Sequence, residues 1–294
     1  MIEVLSEWYF DIPLHGAGRI LPLQFTLFTI GKSDPKGVWY VSMTIRIACA
    51  FDDDGLSAFN RESEPGTVDI LVLPELFDGG YKRLHRDRGP SADISLIAER
   101  FVEISKSHAL TLIAGTVAWK NQDGKVRNTS LVVSNGQRLA EVAKTHLFRP
   151  LGDDQFFAPG TPMTPLTLEC GGEKVRTGII VCYDLRFPEI VRPWFKSGLD
   201  LLVVPARWPS VRDDVWKLLL RARAVENQCF VVGVDSRDDE GGGSYAFAPD
   251  GRAIFELGPS SGADAVTWKS FDIELSDIAR VKERLDTRVD ARLL

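Results

Sequence analysis

Nowhere do these 294 residues stay apolar long enough to span a bilayer, which takes about 20 consecutive apolar residues. The nearest attempt, from Ile20 to Ile30, is interrupted by Pro22, Gln24 and several threonines. Basic residues are missing in front of that run as well. Glu3, Glu7 and Asp11 stand where a secretory signal carries positive charge, and no small-x-small cleavage site follows. The four cysteines, Cys49, Cys170, Cys182 and Cys229, show no close CxxC spacing, and a chain of this size does not need disulfide staples. Free thiols and a cytoplasmic location are the expectation. The four histidines, His15, His85, His108 and His146, are scattered, with no two at ligand spacing on one helical face, so no metal is expected. An excess of positive charge is lacking too: 35 Lys and Arg against 41 Asp and Glu give a net charge of -6. Without a basic field, nucleic acid and anionic membrane are poor partners. Small molecules remain.

What is present reads as an α/β chain with enough apolar content for a sizeable core. Residues 1–42 carry mixed glycines and prolines and end in the turn cluster Ser33-Asp34-Pro35-Lys36-Gly37, so they read as an extension of uncertain status. Met43 stands directly before the first core-like strand, Thr44 to Ala50, and is a candidate natural start, with one domain over 43–294. From there the hydrophobic period switches repeatedly between two and about 3.6. Strands are expected at Asp69–Leu73, Thr111–Ala118, Ser130–Val133, Lys174–Val181, Asp200–Val204, Phe230–Val234 and Ala265–Phe271. Helices are expected at Asp93–Ser107, Pro188–Lys196 and Asp213–Asn227. Turn chemistry at Asn121-Gln122-Asp123-Gly124-Lys125 and Ser134-Asn135-Gly136-Gln137 implies hairpins beside the crossovers, hence mixed sheets.

Three segments can hold chemistry. In Gly178-Ile179-Ile180-Val181-Cys182-Tyr183-Asp184-Leu185-Arg186-Phe187-Pro188-Glu189 a buried strand ends on a thiol, and a helix opened by proline follows. A nucleophile on such a turn projects toward the space where open α/β sheets bind ligands. Taken singly, Cys182 reads equally as a core residue closing a strand. In Ile70-Leu71-Val72-Leu73-Pro74-Glu75-Leu76-Phe77 a carboxylate follows an apolar strand, where partial burial makes it a usable base. Alone it reads also as a helix-start acid. In Glu141-Val142-Ala143-Lys144-Thr145-His146-Leu147 a lysine leaves a strand for an aromatic-rich loop, a position that surface lysines also occupy.

Taken in order, these three segments resemble the Glu, Lys and Cys signatures of the nitrilase-like carbon–nitrogen hydrolases. The likeness continues through Gly198-Leu199-Asp200-Leu201-Leu202-Val203-Val204-Pro205-Ala206-Arg207-Trp208-Pro209 and Ala222 to Gln228, covering nearly all of 43–294, and resembles the ω-amidase-like branch in Ala206 to Arg212 and Trp216 to Gln228. The resemblance implies a four-layer α-β-β-α sandwich with two mixed sheets, assembled as a homodimer or higher homo-oligomer. It also implies hydrolysis of a small amide through a thioester on Cys182, with Glu75 as general base, Lys144 and the Tyr183 N–H on the oxyanion, and no cofactor. Arg149, Arg186, Arg207, Arg212 and Trp208 lie in or beside the motif loops and are candidates for substrate binding, a guanidinium fork being suited to a carboxylate. Arg186 is equally placed to brace the cysteine loop through Asp184 or Glu189. Three departures stand out: Asp153 replaces a second glutamate, Val215 stands where a histidine is expected before Trp216, and Gly55 to Gly66 leaves little room for the first helix. Nitriles and N-carbamoyl amines are alternative substrates for the same three residues. A non-catalytic interaction protein on this fold would need a broken triad, and a cysteine redox enzyme a resolving thiol.

Overall fold

The computed structural model describes residues 43–89, 94–238, 241–259 and 266–292; the expected extension, residues 1–42, lies outside them. The first half of the chain runs β1 (Thr44–Ala50), α1 (Asp53–Glu62), β2 (Ile70–Val72), α2 (Gly80–Asp87), α3 (Ile94–Ser107), β3 (Thr111–Ile113), β4 (Val117–Lys120), β5 (Val126–Ser134) and β6 (Gln137–Ala143). After a single-turn α4 (Asp153–Phe156) come β7 (Leu166–Cys170), β8 (Glu173–Ile179), α5 (Pro188–Ser197), β9 (Leu201–Ala206), α6 (Asp213–Asn227), β10 (Phe230–Asp235), β11 (Ser244–Phe247), β12 (Ala253–Leu257), β13 (Trp268–Glu274) and α7 (Ser276–Arg284). One sheet has the order β13-β1-β2-β3-β5-β4 with β6 on β5, and the other the order β12-β11-β10-β9-β8-β7. Each has a parallel centre, β1-β2-β3 and β8-β9-β10, flanked by antiparallel strands, so both sheets are mixed.

Alternation along the strands dictates how the sheets stack. In β1, Ile45, Ile47 and Cys49 face one way and Ala48 and Ala50 the other; in β9, Leu201 and Val203 oppose Leu202 and Val204. The first set from each sheet meets in one apolar layer that also holds Ile70, Val72, Phe230 and Val232. Ala48, Ala50, Leu71 and Leu112 turn outward onto Leu56 and Phe59 of α1 and Phe101 and Ile104 of α3. Leu202, Val204 and Val231 turn outward onto Ile190 and Trp194 of α5 and Trp216 and Leu220 of α6. This is the α-β-β-α sandwich expected from the sequence, with fully buried aliphatic side chains each contributing roughly 1.5–3 kcal/mol. Among the described residues no helix is long and apolar enough to cross a membrane.

The structure departs from the expected elements in places that matter for the site. The strand expected over Thr111–Ala118 is two strands, broken at Ala114-Gly115-Thr116. Gly115 sits at φ 52°, and a β-carbon there would lie 1.9 Å from the Pro74 carbonyl oxygen, so only glycine lets this break press against the Glu75 loop. The short first helix is real: α1 spans ten residues, with Asp52 capping it through a 2.7 Å bond from the Gly55 N–H. Neither α2 nor α7 is among the elements expected from the sequence: both are short and strongly polar and bury little beyond a single large side chain each, Leu84 and Ile278. Both expected hairpins are present, joining β4 to β5 and β5 to β6, the latter through Asn135 and Gly136 with φ of 48° and 80°.

Candidate active site

The segments after β2, β6, β8 and β9 converge at one end of the two sheets. Cys182 follows β8 and opens a 3-10 turn, Cys182–Arg186, at φ 47°. That left-handed backbone costs a residue with a β-carbon about 1–2 kcal/mol, and persists only where neighbours over-determine it. Asp184 supplies the constraint. Its carboxylate accepts from the Val181 N–H at 3.1 Å, the Thr145 N–H at 3.2 Å, the His146 N–H at 2.7 Å and His146 Nδ1 at 2.9 Å. The cysteine turn of one sheet is thereby tied to the lysine loop of the other. His146 is held in turn by stacking on Phe187 at 3.7 Å between ring centroids.

Glu75 is fully buried behind β2. Its Oε1 accepts from Asn128 Nδ2 at 2.7 Å and Lys144 Nζ at 2.8 Å, and its Oε2 from the Arg207 N–H at 3.0 Å. The turn carrying it is fixed by Leu76 at φ 47°, whose N–H donates to Thr116 Oγ1 at 2.8 Å. Lys144 is also fully buried, and its Nζ reaches Asp153 Oδ2 at 2.8 Å as well as Glu75. The same Oδ2 accepts from the Phe148 N–H at 2.8 Å, while Oδ1 accepts from the Tyr81 hydroxyl at 2.8 Å. The shorter Asp153 side chain therefore still grips the lysine.

Electrostatics fix the resting protonation. Burial pushes the Cys182 thiol well above its usual range, and the neighbouring Glu75 carboxylate pushes it further, against a partial opposing pull from Lys144. For Lys144, burial pulls down, but Glu75, Tyr81, Cys182 and Asp153 together outweigh it and hold the ammonium well above its ordinary value. The arrangement is a neutral thiol beside a cation clasped by two carboxylates. A thiol becomes nucleophilic only as its proton leaves, and the Glu75 carboxylate is the hydrogen-bonding neighbour of this one.

A small cavity of about 20 Å³ touches Cys182 between Tyr81, Phe148, Tyr183 and Arg186, and shares Arg207, Trp208 and Arg212 with an outer cavity of about 270 Å³. Of the arginines singled out in the sequence, Arg186 lies over the Trp208 ring at 4.9 Å rather than on Asp184 or Glu189. Arg207 lines the cavities but is largely a brace: its Nε donates to the Glu75 carbonyl at 2.8 Å, and its Nη1 pairs with Asp238 and donates to Ser236 Oγ at 3.3 Å. Arg149 points elsewhere, 84% exposed and 3.9 Å from Asp154, and lines neither cavity. Arg212 lines both, and its side chain has no partner among the described residues. Trp208 is buried, its N–H held by Asp235 at 3.0 Å and its ring stacked on Trp216. Val215 packs against the outer cluster near α5 and α6 and touches neither cavity. Among the described residues no His, Cys, Asp or Glu cluster could hold a metal.

Reading the sequence alone missed Asn128, Thr116 and Tyr81. The signal for Asn128 was a polar run, Asn128-Thr129-Ser130, inside a strand whose neighbours are apolar, now seen fully buried in β5. Tyr81 closes the Glu75 motif after Gly79-Gly80, a glycine pair that announces a close backbone approach.

The carbon-nitrogen hydrolase family model matches residues 56–281. The chain belongs to the carbon–nitrogen hydrolase family. It is 33% identical over 241 residues to a 2-oxoglutaramate amidase of Bacillus subtilis, covering 80% of this chain and 89% of that protein. It is 33% identical over 228 residues to Omega-amidase YafV of Escherichia coli K12, covering 75% and 83%. A Xanthomonas campestris member of the CN-hydrolase superfamily, solved with an arsenic adduct in its active site, superposes with a TM-score of 0.73 at 25% identity, covering 86% of this chain and 98% of the other. A mutant amidase from Nesterenkonia sp. AN1, with the acetamide moiety of fluoroacetamide added covalently at its active-site cysteine, superposes at 0.64 with 26% identity, covering 82% and 94%. This carbon–nitrogen hydrolase is thus an enzyme of the nitrilase superfamily, and amide hydrolysis is the reaction that fits its relatives and its side chains.

Proposed function

We propose that the enzyme hydrolyses short amides bearing a free carboxylate at the far end, ω-amides of dicarboxylic acids, through a thioester on Cys182. The observation that carries this reading is the pair of arginines, Arg186 and Arg212, lining the space beside the thiol, the Arg212 side chain with no acceptor among the described residues. A substrate carboxylate is the natural partner of such a fork. Glu75 takes the Cys182 proton as sulfur attacks the carbonyl carbon, and the oxygen charge develops toward Lys144 Nζ and the Tyr183 N–H. The C–N bond then breaks, nitrogen leaving with the proton from Glu75. Water, deprotonated by Glu75, attacks the thioester; the C–S bond breaks with its electron pair on sulfur, Glu75 returns the proton to Cys182, and the acid departs. Exposed Leu218 and Val225 on α6 support self-association, and four free, buried thiols support a reducing cytoplasm.

The test compares ammonia release from an ω-amide acid and from the same amide with its carboxylate methylated. The acid should have kcat/KM higher by roughly 10- to 100-fold, as a charge-assisted bond worth about 1.5–3 kcal/mol predicts. Arg212→Gln should erase most of that difference by slowing the acid alone. Equal values for acid and methyl ester would remove the carboxylate clamp.

A further inference from the structure

We infer that the Tyr81 hydroxyl binds the amide nitrogen of the substrate, its oxygen accepting one N–H beside Cys182. The inference rests on the amidase reading above and adds a residue to it. Tyr81 stands in the first turn of α2, after Gly79 and Gly80 at φ 109° and 68°. A β-carbon on Gly80 would lie 2.7 Å from the Arg207 guanidinium carbon, so the glycine lets this turn slide under Arg207 and bring the phenol to the wall of both cavities.

The argument is one of hydrogen-bond supply. A primary amide brings two N–H donors into a narrow space walled largely by aromatic rings, and leaving one unpaired there is costly. The carboxylates around Cys182 already have donors. Glu75 receives three, from Asn128, Lys144 and the Arg207 N–H. Asp153 receives Lys144, the Phe148 N–H and Tyr81 itself. Asp184 receives the cysteine and lysine loops. Tyr81 differs from all of these: its proton is committed to Asp153 at 2.8 Å, its oxygen has lone pairs to spare, and the residue lines both cavities. Burial, with the Glu75 carboxylate next, holds that phenol proton well above its ordinary range, so the group stays a neutral acceptor.

The chemical consequence lies in the collapse step. After sulfur adds and Glu75 holds the thiol proton, the C–N bond must break with its electron pair going to nitrogen and the proton passing from Glu75 to that nitrogen. A Tyr81 oxygen holding one N–H fixes the nitrogen and leaves its lone pair free to receive the proton. An ester leaving oxygen has no N–H to offer, so Tyr81 selects amides over esters.

The experiment compares wild type and Tyr81→Phe on an ω-amide and on the matched alkyl ester at the same carbonyl, following ammonia and alcohol release. For the amide, kcat/KM should fall roughly tenfold or more. For the ester it should fall about two- to threefold, through the donor that Asp153 loses, which acts on both substrates alike. In a Cys182→Ala background, where chemistry is off, calorimetry should show Tyr81→Phe weakening the amide and not the ester. A parallel fall of amide and ester, with unchanged relative affinities, would reduce Tyr81 to a brace for Asp153 and overturn the assignment. A wild-type enzyme inert to both substrates would instead overturn the ω-amide reading, and the Tyr81 assignment with it.

Discussion

Lys144→Met will abolish turnover and lower the folding free energy by about 3–5 kcal/mol, the loss expected when one member of a buried ion cluster is deleted. Glu75 and Asp153, each 2.8 Å from Nζ and fully buried, would then face each other with no cation between them. In a domain of this size such a loss lowers Tm by roughly 10 °C or more. Lys144→Arg will fail almost as completely, since a planar guanidinium does not fit an ammonium-sized site gripped from both sides. Ammonia release and thermal melting of both variants check this. Unchanged melting of Lys144→Met, or near-normal kcat in Lys144→Arg, would contradict the picture of a clasped cation.

Cys182→Ala and Cys182→Gly will both lose at least about 10⁴-fold in kcat, as removal of a covalent nucleophile does elsewhere. Their stabilities will differ in an instructive direction. At φ 47° a β-carbon is strained and glycine is not, so the glycine variant should be the more stable of the two by about 1 kcal/mol. Cys49→Ala, Cys170→Ala and Cys229→Ala should keep most activity, because those thiols are sealed within the fold and line neither cavity. Low-dose iodoacetamide followed by intact mass and peptide mapping should place the first adduct on Cys182. First labelling of another cysteine, with activity preserved, would defeat the assignment.

How much of this was legible in the sequence depends on the range of each interaction. Glu75, Lys144 and Cys182 each sit in a local strand-to-loop pattern, and the helices α3, α5 and α6 each bury several residues of one local run, so the main elements and the three motifs could be read, while the four layers came from the family resemblance. The partners could not. Asn128 reaches Glu75 across 53 residues, Tyr81 reaches Asp153 across 72, and Asp184 reaches the lysine loop across 38 or 39. No local pattern encodes such meetings. Arginines in motif loops show the same limit: their place in or beside the loops that carry the resemblance put Arg149, Arg186, Arg207 and Arg212 near the site, but the direction of each side chain is set by what it packs against. Arg149 turns to solvent and Arg207 is consumed by backbone carbonyls and Asp238. The continuous apolar run Thr111–Ala118 concealed its break for a related reason, since Gly115 serves a contact with Pro74 far away in sequence.

Glu75 on one sheet is bonded to Arg207 on the other, and Asp184 on the second sheet to Thr145 and His146 on the first. Cys182 and Glu75 therefore ride on different halves of the sandwich, and the spacing between the thiol and the carboxylate is a reading of how those halves are aligned. A slip of a fraction of an ångström along the apolar layer between Val72 or Ile113 and Leu201 or Val232 would misalign the groups while both sheets remained intact. Catalysis should accordingly report shear before spectroscopy reports melting: in a urea series, or in Val232→Ala, activity should decline at denaturant concentrations where circular dichroism still records a native protein.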